Sequence, residues 1–288
     1  MNTFCKMLLP VVMCSVAFGA ADKGKGAPPK KLPGGWVYAW GDEFNGKSLN
    51  TKKWAYELGT VRNRGASHVY TKEAVAVTGG KLVITSAAKK TRNPDYKPGS
   101  DKWLEKEEYK PYSSGSVTTR GVYEFKCPGR LEIRAKVPKA KGVWPALWTM
   151  HVNKYSWPAN GEIDILEHIS QEPDKVYSIF RWGKDGGSQE AKVIRTTNFP
   201  NYSTQFHTYV LEWTQETMRI LIDDKEVGSI KMDQAKYPDG NNPLLSPCYL
   251  IMNTAIGGPG TWPEQPDAAQ YPVKFEIDYV RYYTKQGS

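Results

Sequence analysis

Three carboxylates fall within six residues, at Glu162, Asp164 and Glu167, in the run Gly161-Glu162-Ile163-Asp164-Ile165-Leu166-Glu167-His168. Side chains alternate along an extended strand, so Glu162 and Asp164 share one face while Ile163 and Ile165 take the other. Strict alternation would then place Leu166 beside the acids and Glu167 opposite them. One extra residue, a β-bulge, returns Glu167 to the acidic face, and bulges concentrate beside active sites. No Lys or Arg lies within the run, so three like charges on one face would repel. Repulsion raises at least one pKa, and a protonated carboxyl beside an ionised one is what acid–base chemistry requires. A solvated acidic strand edge and a metal site are the competing readings of the same pattern.

The elements around this run read as strands. Extended segments at 74–77, 81–85, 208–213, 218–222, 226–230 and 275–282 are separated by turn chemistry such as Thr78-Gly79-Gly80 and Asp223-Asp224. Many short strands at this spacing predict an all-β sandwich or barrel in one domain. A helical period is nowhere sustained, no internal repeat is present, and the charged stretch 101–109 reads as an exposed insertion.

At the N-terminus, Lys6, the apolar run 7–18 and the small residues Gly19-Ala20-Ala21 form a secretory signal pattern over 1–21. The apolar run is too short to span a membrane and no later stretch qualifies. A lipid anchor at Cys14 is disfavoured by Met13 before it. Residues 22–35, rich in Lys, Gly and Pro, read as a flexible linker, and order is expected over 36–288. The formal net charge is +9. Cleavage after residue 21 removes one Lys and no acid, leaving 38 cationic residues against 30 acids, or +8. A basic exported protein suits anionic glycans or a cell envelope. Nucleic acid is excluded as a partner because no binding motif accompanies the charge. Cys127 and Cys248 remain after cleavage and could pair in an oxidising compartment.

Several segments together resemble glycoside hydrolase family 16, in its laminarinase-like branch. They are 129–138 (Gly-Arg-Leu-Glu-Ile-Arg-Ala-Lys-Val-Pro), Trp144-Pro145-Ala146-Leu147-Trp148, Trp157-Pro158 ahead of Gly161-Glu162, Trp40-Gly41-Asp42-Glu43-Phe44, Asn253-Thr254-Ala255-Ile256-Gly257-Gly258 and Asp278-Tyr279-Val280-Arg281. The likeness covers residues 36–284. It implies a β-jelly-roll sandwich with a concave substrate cleft, and endo-hydrolysis of a β-linked polysaccharide with retention of configuration. Carried over by position, Glu162 is the nucleophile, Glu167 the acid and then base, and Asp164 the residue that holds their pKa values apart. Retention wants carboxyls ~5–5.5 Å apart, whereas four strand steps span about 13 Å, so the sheet must curve.

Trp144 and Trp157 occupy family cleft positions, and Trp182 lies nearby. An indole offers a flat apolar platform to the C–H face of a sugar. Trp148 and Trp213 are expected in the core. Arg130 and Asn253 are candidate polar cleft groups, with hydrogen bonding inside the sheet as the plain alternative. Two departures bear on the substrate. The segment Asn63-Arg64-Gly65-Ala66-Ser67-His68-Val69 replaces the Asn-Asn-Glu-x-Gln of β-1,3-glucan-cleaving members, and Arg181 in Ile179-Phe180-Arg181-Trp182-Gly183 replaces a histidine. Arginine binds sulfate and carboxylate by charge-assisted contacts, which sets an endo-β-1,4-galactosidase on agar-like, keratan-like or mucin O-glycan chains against a laminarinase-like β-1,3/1,4-glucanase. The resemblance implies no catalytic cofactor, but a structural calcium ion held by Glu43, a carbonyl of Gly79 or Gly80, and Asp278. A monomer is expected. A non-catalytic lectin-like jelly roll and a structural envelope protein are the rival classes; neither needs three mutually repelling acids.

Overall fold

Alternation of apolar and polar residues builds two antiparallel sheets whose apolar faces meet. The structure is a computed structural model and describes residues 25–60, 62 and 64–285. The signal segment 1–21, with Cys14, lies outside the described residues, as do 22–24. One sheet contains seven strands: β1 (Ala55–Tyr56), β2 (Ser116–Thr118), β3 (Val143–His151), β4 (Glu162–Glu167), β5 (Lys175–Gly183), β6 (Glu190–Asn198) and β7 (Cys248–Ile256). Their order is β6-β5-β4-β3-β7-β2-β1. The second sheet has nine strands, with Val273–Lys285 and Gly129–Lys136 at its centre, flanked by Trp36–Asp42 and His207–Trp213. All helical turns among the described residues are 3-10 turns of three or four residues. This is the expected all-β jelly-roll sandwich, and the six strand segments read from the sequence are present to within three residues at each end.

The core lies between the sheets. Ile163, Ile165, Leu166, Phe180 and Trp182 face Leu131, Ile133, Leu211, Trp213, Phe275 and Ile277, all buried. Trp213 is in the core, as expected. Residues 25–35 are pinned to the sandwich rather than forming a free linker: Lys31 and Leu32 pair with Val37 and Trp36, and the Lys25 ammonium donates to the carbonyls of Glu43 and Gly80. Cys127 and Cys248 are free thiols; burial pushes Cys248 up to about 12.

The predicted insertion folds back instead of standing free. Asn93 donates from its amide to the carbonyls of Leu104 (2.7 Å) and Glu107 (3.1 Å). That loop carries Trp103 to the rim of the cleft on the seven-stranded sheet.

Candidate active site

The bulge expected in the acidic strand is present. Along β5, Glu162 pairs with Arg181, Asp164 with Ile179 and Glu167 with Tyr177, so three steps on β4 oppose two on its neighbour. On the other side, Leu166 pairs with Leu147 and Asp164 with Trp148, leaving Ile165 as the unpaired residue. Ile165 and Leu166 therefore both turn into the core, and Glu167 joins Glu162 and Asp164 on the outer face. Gly161 supplies the entry to the strand with φ +91°, a left-handed conformation that L residues with a side chain rarely adopt.

The outer face of β3–β7 forms a cleft of about 930 Å³, and all three acids line it. Each outer glutamate has its own tryptophan. Trp157 Nε1 donates to Glu162 Oε2 at 2.9 Å, and Trp144 Nε1 donates to Glu167 Oε1 at 2.9 Å. The Trp157 ring remains 54% exposed, an open platform beside the first acid. Trp262 stands edge-on to both Trp144 and Tyr177. The cleft thus has a carboxylate row flanked by aromatic faces, which is the equipment for gripping a sugar chain along its apolar surfaces.

Arg181 changes the electrostatics foreseen for an isolated acidic run. Its guanidinium lies 3.2 Å from Glu162 Oε1, 3.8 Å from Asp164 Oδ2 and 2.7 Å from Glu190 Oε1. One cation therefore serves three carboxylates, and Lys192 shares only Glu190. Burial and the Glu162 charge push Glu167 up to about 7, opposed by Arg181 and the Trp144 hydrogen bond. Burial, then the charges of Glu167 and Glu162, hold Asp164 well above the usual carboxylate range; its Oδ2 is buried without a hydrogen-bond partner. Burial also raises Glu162, with Arg181 and the Trp157 hydrogen bond pulling the other way. The cluster holds protons at pH values where free carboxyls are ionised.

The expected binding residues divide. Trp144, Trp157, Arg181 and Asn253 line the cleft. Asn253 is fixed between Trp148 Nε1, which donates to its Oδ1 at 2.7 Å, and the Tyr70 hydroxyl, which accepts from its amide at 2.9 Å. Trp182 does not reach the cleft: Arg181 takes the outer face, so its neighbour points into the core. Arg130 is on the other sheet, paired with Glu132 and Glu212 at 2.8 Å each. Arg64 lines a smaller adjoining cavity. Trp148, expected in the core, lines the cleft under the Arg62 guanidinium at 4.7 Å.

Sequence reasoning missed Arg62, Trp103, Tyr177 and Trp262. Only Trp103 carried a local signal, being a large aromatic in the mainly charged stretch 101–109.

The calcium reading fails a fit test. The Glu43 and Gly80 carbonyls accept from the Lys25 ammonium, and Asp278 Oδ1 lies 3.7 Å from it. Glu43 spends its carboxylate on Arg281 at 2.8 and 2.9 Å, and Asp278 Oδ2 accepts from Arg134 at 2.6 Å. Gly79 makes no hydrogen bond in the cage. A lysine ammonium thus sits where a hard cation would, and among the described residues no group of three His, Cys, Asp or Glu is placed to bind a metal.

Comparison with known proteins agrees with this architecture. Residues 63–281 match the family model for glycosyl hydrolases family 16. The chain is 31% identical to a β-glucanase of Rhodothermus marinus, over 96% of this chain and 92% of that protein. It is 30% identical to the glucan endo-1,3-β-glucosidase A1 of Niallia circulans over 92% of this chain, which spans 40% of that longer protein. A solved structure from work on the endo-acting O-glycanases with which prominent members of the human gut microbiota initiate mucin breakdown superposes with a TM-score of 0.86. It is 48% identical and covers 90% of this chain and 94% of its own.

Proposed function

The chain belongs to glycosyl hydrolase family 16 and is an endo-acting β-glycosidase; from that premise we propose that Glu162, Asp164 and Glu167 carry a retaining hydrolysis of internal linkages in mucin-type O-glycan chains. The observation that carries the catalytic reading is the bulged strand, which sets three buried acids on one cleft wall with a tryptophan on each outer glutamate.

Glu162 attacks the anomeric carbon as the glycosidic C–O bond breaks, and Glu167 delivers its proton to the leaving oxygen. Arg181 favours the ionised form of Glu162, which the attack needs. Glu167, raised to about 7, is still protonated in a large share of molecules at neutral pH. Once the leaving chain departs, Glu167 is ionised. It takes a proton from water, whose oxygen attacks the same carbon and frees Glu162. Asp164 lies between the two glutamates in sequence and shares the cluster's proton load. Trp144 and Trp157 grip the sugars on either side.

The substrate class follows from two supports. Identity to the O-glycanase structure is 48%, against 30–31% for the glucanases, and Arg181 departs from the histidine that the resemblance to glucan-cleaving members leads one to expect. β-1,3/1,4-Glucan hydrolysis is the second reading, favoured by the shared motifs and by those glucanases. Export by the N-terminal signal fits either extracellular polymer. With Lys25 in the oxygen cage, calcium has no part in the proposed chemistry. Reducing-end release from laminarin, lichenan, agarose, keratan and mucin O-glycans tests the proposal, with the product anomer read by NMR. Turnover fastest on mucin or keratan with retained configuration is expected; fastest turnover on laminarin would return the substrate to glucan, and an inverted product would remove Glu162 as nucleophile.

A further inference from the structure

Beside the cleft lies a second cavity of about 110 Å³, and Arg62 and Trp103 belong to the walls of both. That volume is about three or four waters' worth, enough for a small oxyanion. Its lining holds four cations, Arg62, Arg64, Lys106 and Lys110, against one carboxylate, Glu107.

The four cations are not equivalent. Arg62 is tied to Glu57 and lies over the Trp148 ring. Lys110 is buried, with its ammonium 2.8 Å from Glu107. These two form a fixed floor. Arg64 and Lys106 are exposed, and neither side chain has an ion pair or hydrogen bond with another described residue. His68 adds no charge: burial pushes it down to about 4, with the Lys110 charge adding to the effect, and its Nδ1 accepts the Ile256 N–H at 3.0 Å. Even with Glu57 counted against Arg62, two cations face the cavity without a counter-charge. Unpaired cations in a recess are a natural seat for an oxyanion, because charge-assisted bonds to a carboxylate or sulfate are short and strong.

Resting on the glycan-cleaving reading above, we propose that this cavity receives an anionic substituent of the bound glycan, a sulfate ester or a sialic acid carboxylate, gripped by Arg64 and Lys106. The shared wall at Arg62 and Trp103 makes the geometry natural. A sugar lying along the aromatic cleft can turn a substituent into the recess without leaving the carboxylate row.

The test compares matched substrates: keratan sulfate against chemically desulfated keratan, and sialylated against desialylated mucin O-glycans. The readout is the ratio of kcat/KM for the anionic member to that for its neutral partner. The wild type should favour the anionic member of one pair by about tenfold at low salt, with the ratio shrinking as salt screens the contact. The pair that shows the preference tells sulfate from carboxylate. Arg64→Ala/Lys106→Ala should bring that ratio close to one, and because both side chains are exposed, an unchanged melting temperature certifies the fold. Equal rates within both pairs, or a preference that the double variant keeps, overturns the inference while hydrolysis of the neutral glycans leaves the catalytic reading standing. No hydrolysis of any keratan or mucin glycan removes the substrate reading and the inference together.

Discussion

Acidic residues line the outer face of both sheets, yet the two faces treat them differently. On the nine-stranded sheet Glu212 and Glu276 each meet two cations. Glu212 accepts from Arg130 at 2.8 Å and from Arg219 at 2.6 and 3.0 Å. Glu276 lies between Lys136 and Lys81, which hold it below its ordinary range against the opposing effect of burial. On the cleft face one arginine serves Glu162, Asp164 and Glu190 directly, and Glu167 has only an indole. Carboxylates of the first kind fasten strands together. Those of the second kind stay protonated unusually far up the pH scale and are available for proton transfer.

The sharpest way to break this contrast is to remove one acid from each face. Glu162→Gln and Glu167→Gln should each lower kcat by at least about a thousandfold with the melting temperature preserved or raised. Glu212→Gln should do the opposite, leaving kcat/KM near wild type while three charge-assisted bonds weaken and the melting temperature drops by several degrees. Steady-state kinetics and calorimetry on the three variants decide it; a Glu212 variant that loses activity while melting normally would erase the distinction.

The contrast also predicts opposite signs for stability against pH. Glu167 has a folded pKa of about 7 against an ordinary 4.5. Its protonated form contributes stability fully below 4.5, and the contribution is lost as pH rises to about 7, because the native state binds the extra proton throughout that window. The loss amounts to up to about 3 kcal/mol. Denaturant titrations should show the wild type weakening from pH 4.5 to 7 relative to Glu167→Gln. Parallel curves would mean that Glu167 titrates normally in the fold.

Much of this was legible in the sequence, and the limits have a physical cause. The bulge could be read from Glu162, Asp164 and Glu167 because a period-2 pattern fails visibly when it slips by one. The sandwich could be read from alternation and turn residues. Arg181's place among the acids, however, is set by cross-strand register, and no local pattern in β4 reports what β5 brings opposite Glu162. Trp148 is a different case: it follows plain alternation with Trp144, Ala146 and Met150 onto the cleft face, so its place could have been read from Trp144. Arg130 shows the converse: its Pro-Gly-Arg setting resembles a cleft segment, but the strand that bears it belongs to the other sheet.

Arg181 sharpens the comparison at intermediate size. Its charge lowers the pKa values of Glu162, Asp164 and Glu167. Arg181→Met should therefore move both limbs of the rate–pH profile upward, the apparent values belonging to the coupled cluster, and lower kcat/KM at neutral pH by roughly ten- to a hundredfold. A fall in rate with no movement of the profile would assign Arg181 to substrate contact instead.

The smallest expected effect lies on the paired face, at Lys25. Its ammonium settles the Glu43 and Gly80 carbonyls near the Asp278 carboxylate and ties the N-terminal segment to the sandwich. The Lys25 side chain is partly exposed, so its charge-assisted bonds are discounted by solvent, and Lys25→Ala should cost about 1 kcal/mol, a few degrees in melting temperature. The removed ammonium leaves three hard oxygens facing one another, a partial set for a cation that prefers oxygen ligands. Millimolar calcium should then raise the melting temperature of Lys25→Ala while leaving the wild type unmoved, and a chelator should leave the wild type unmoved as well. Activity on the preferred glycan should stay the same in both proteins, since the segment lies on the sheet opposite the cleft. If calcium stabilises the wild type as much as the variant, the ammonium does not hold that cage in solution, and the pairing of acids on this face with protein cations fails at its outermost member.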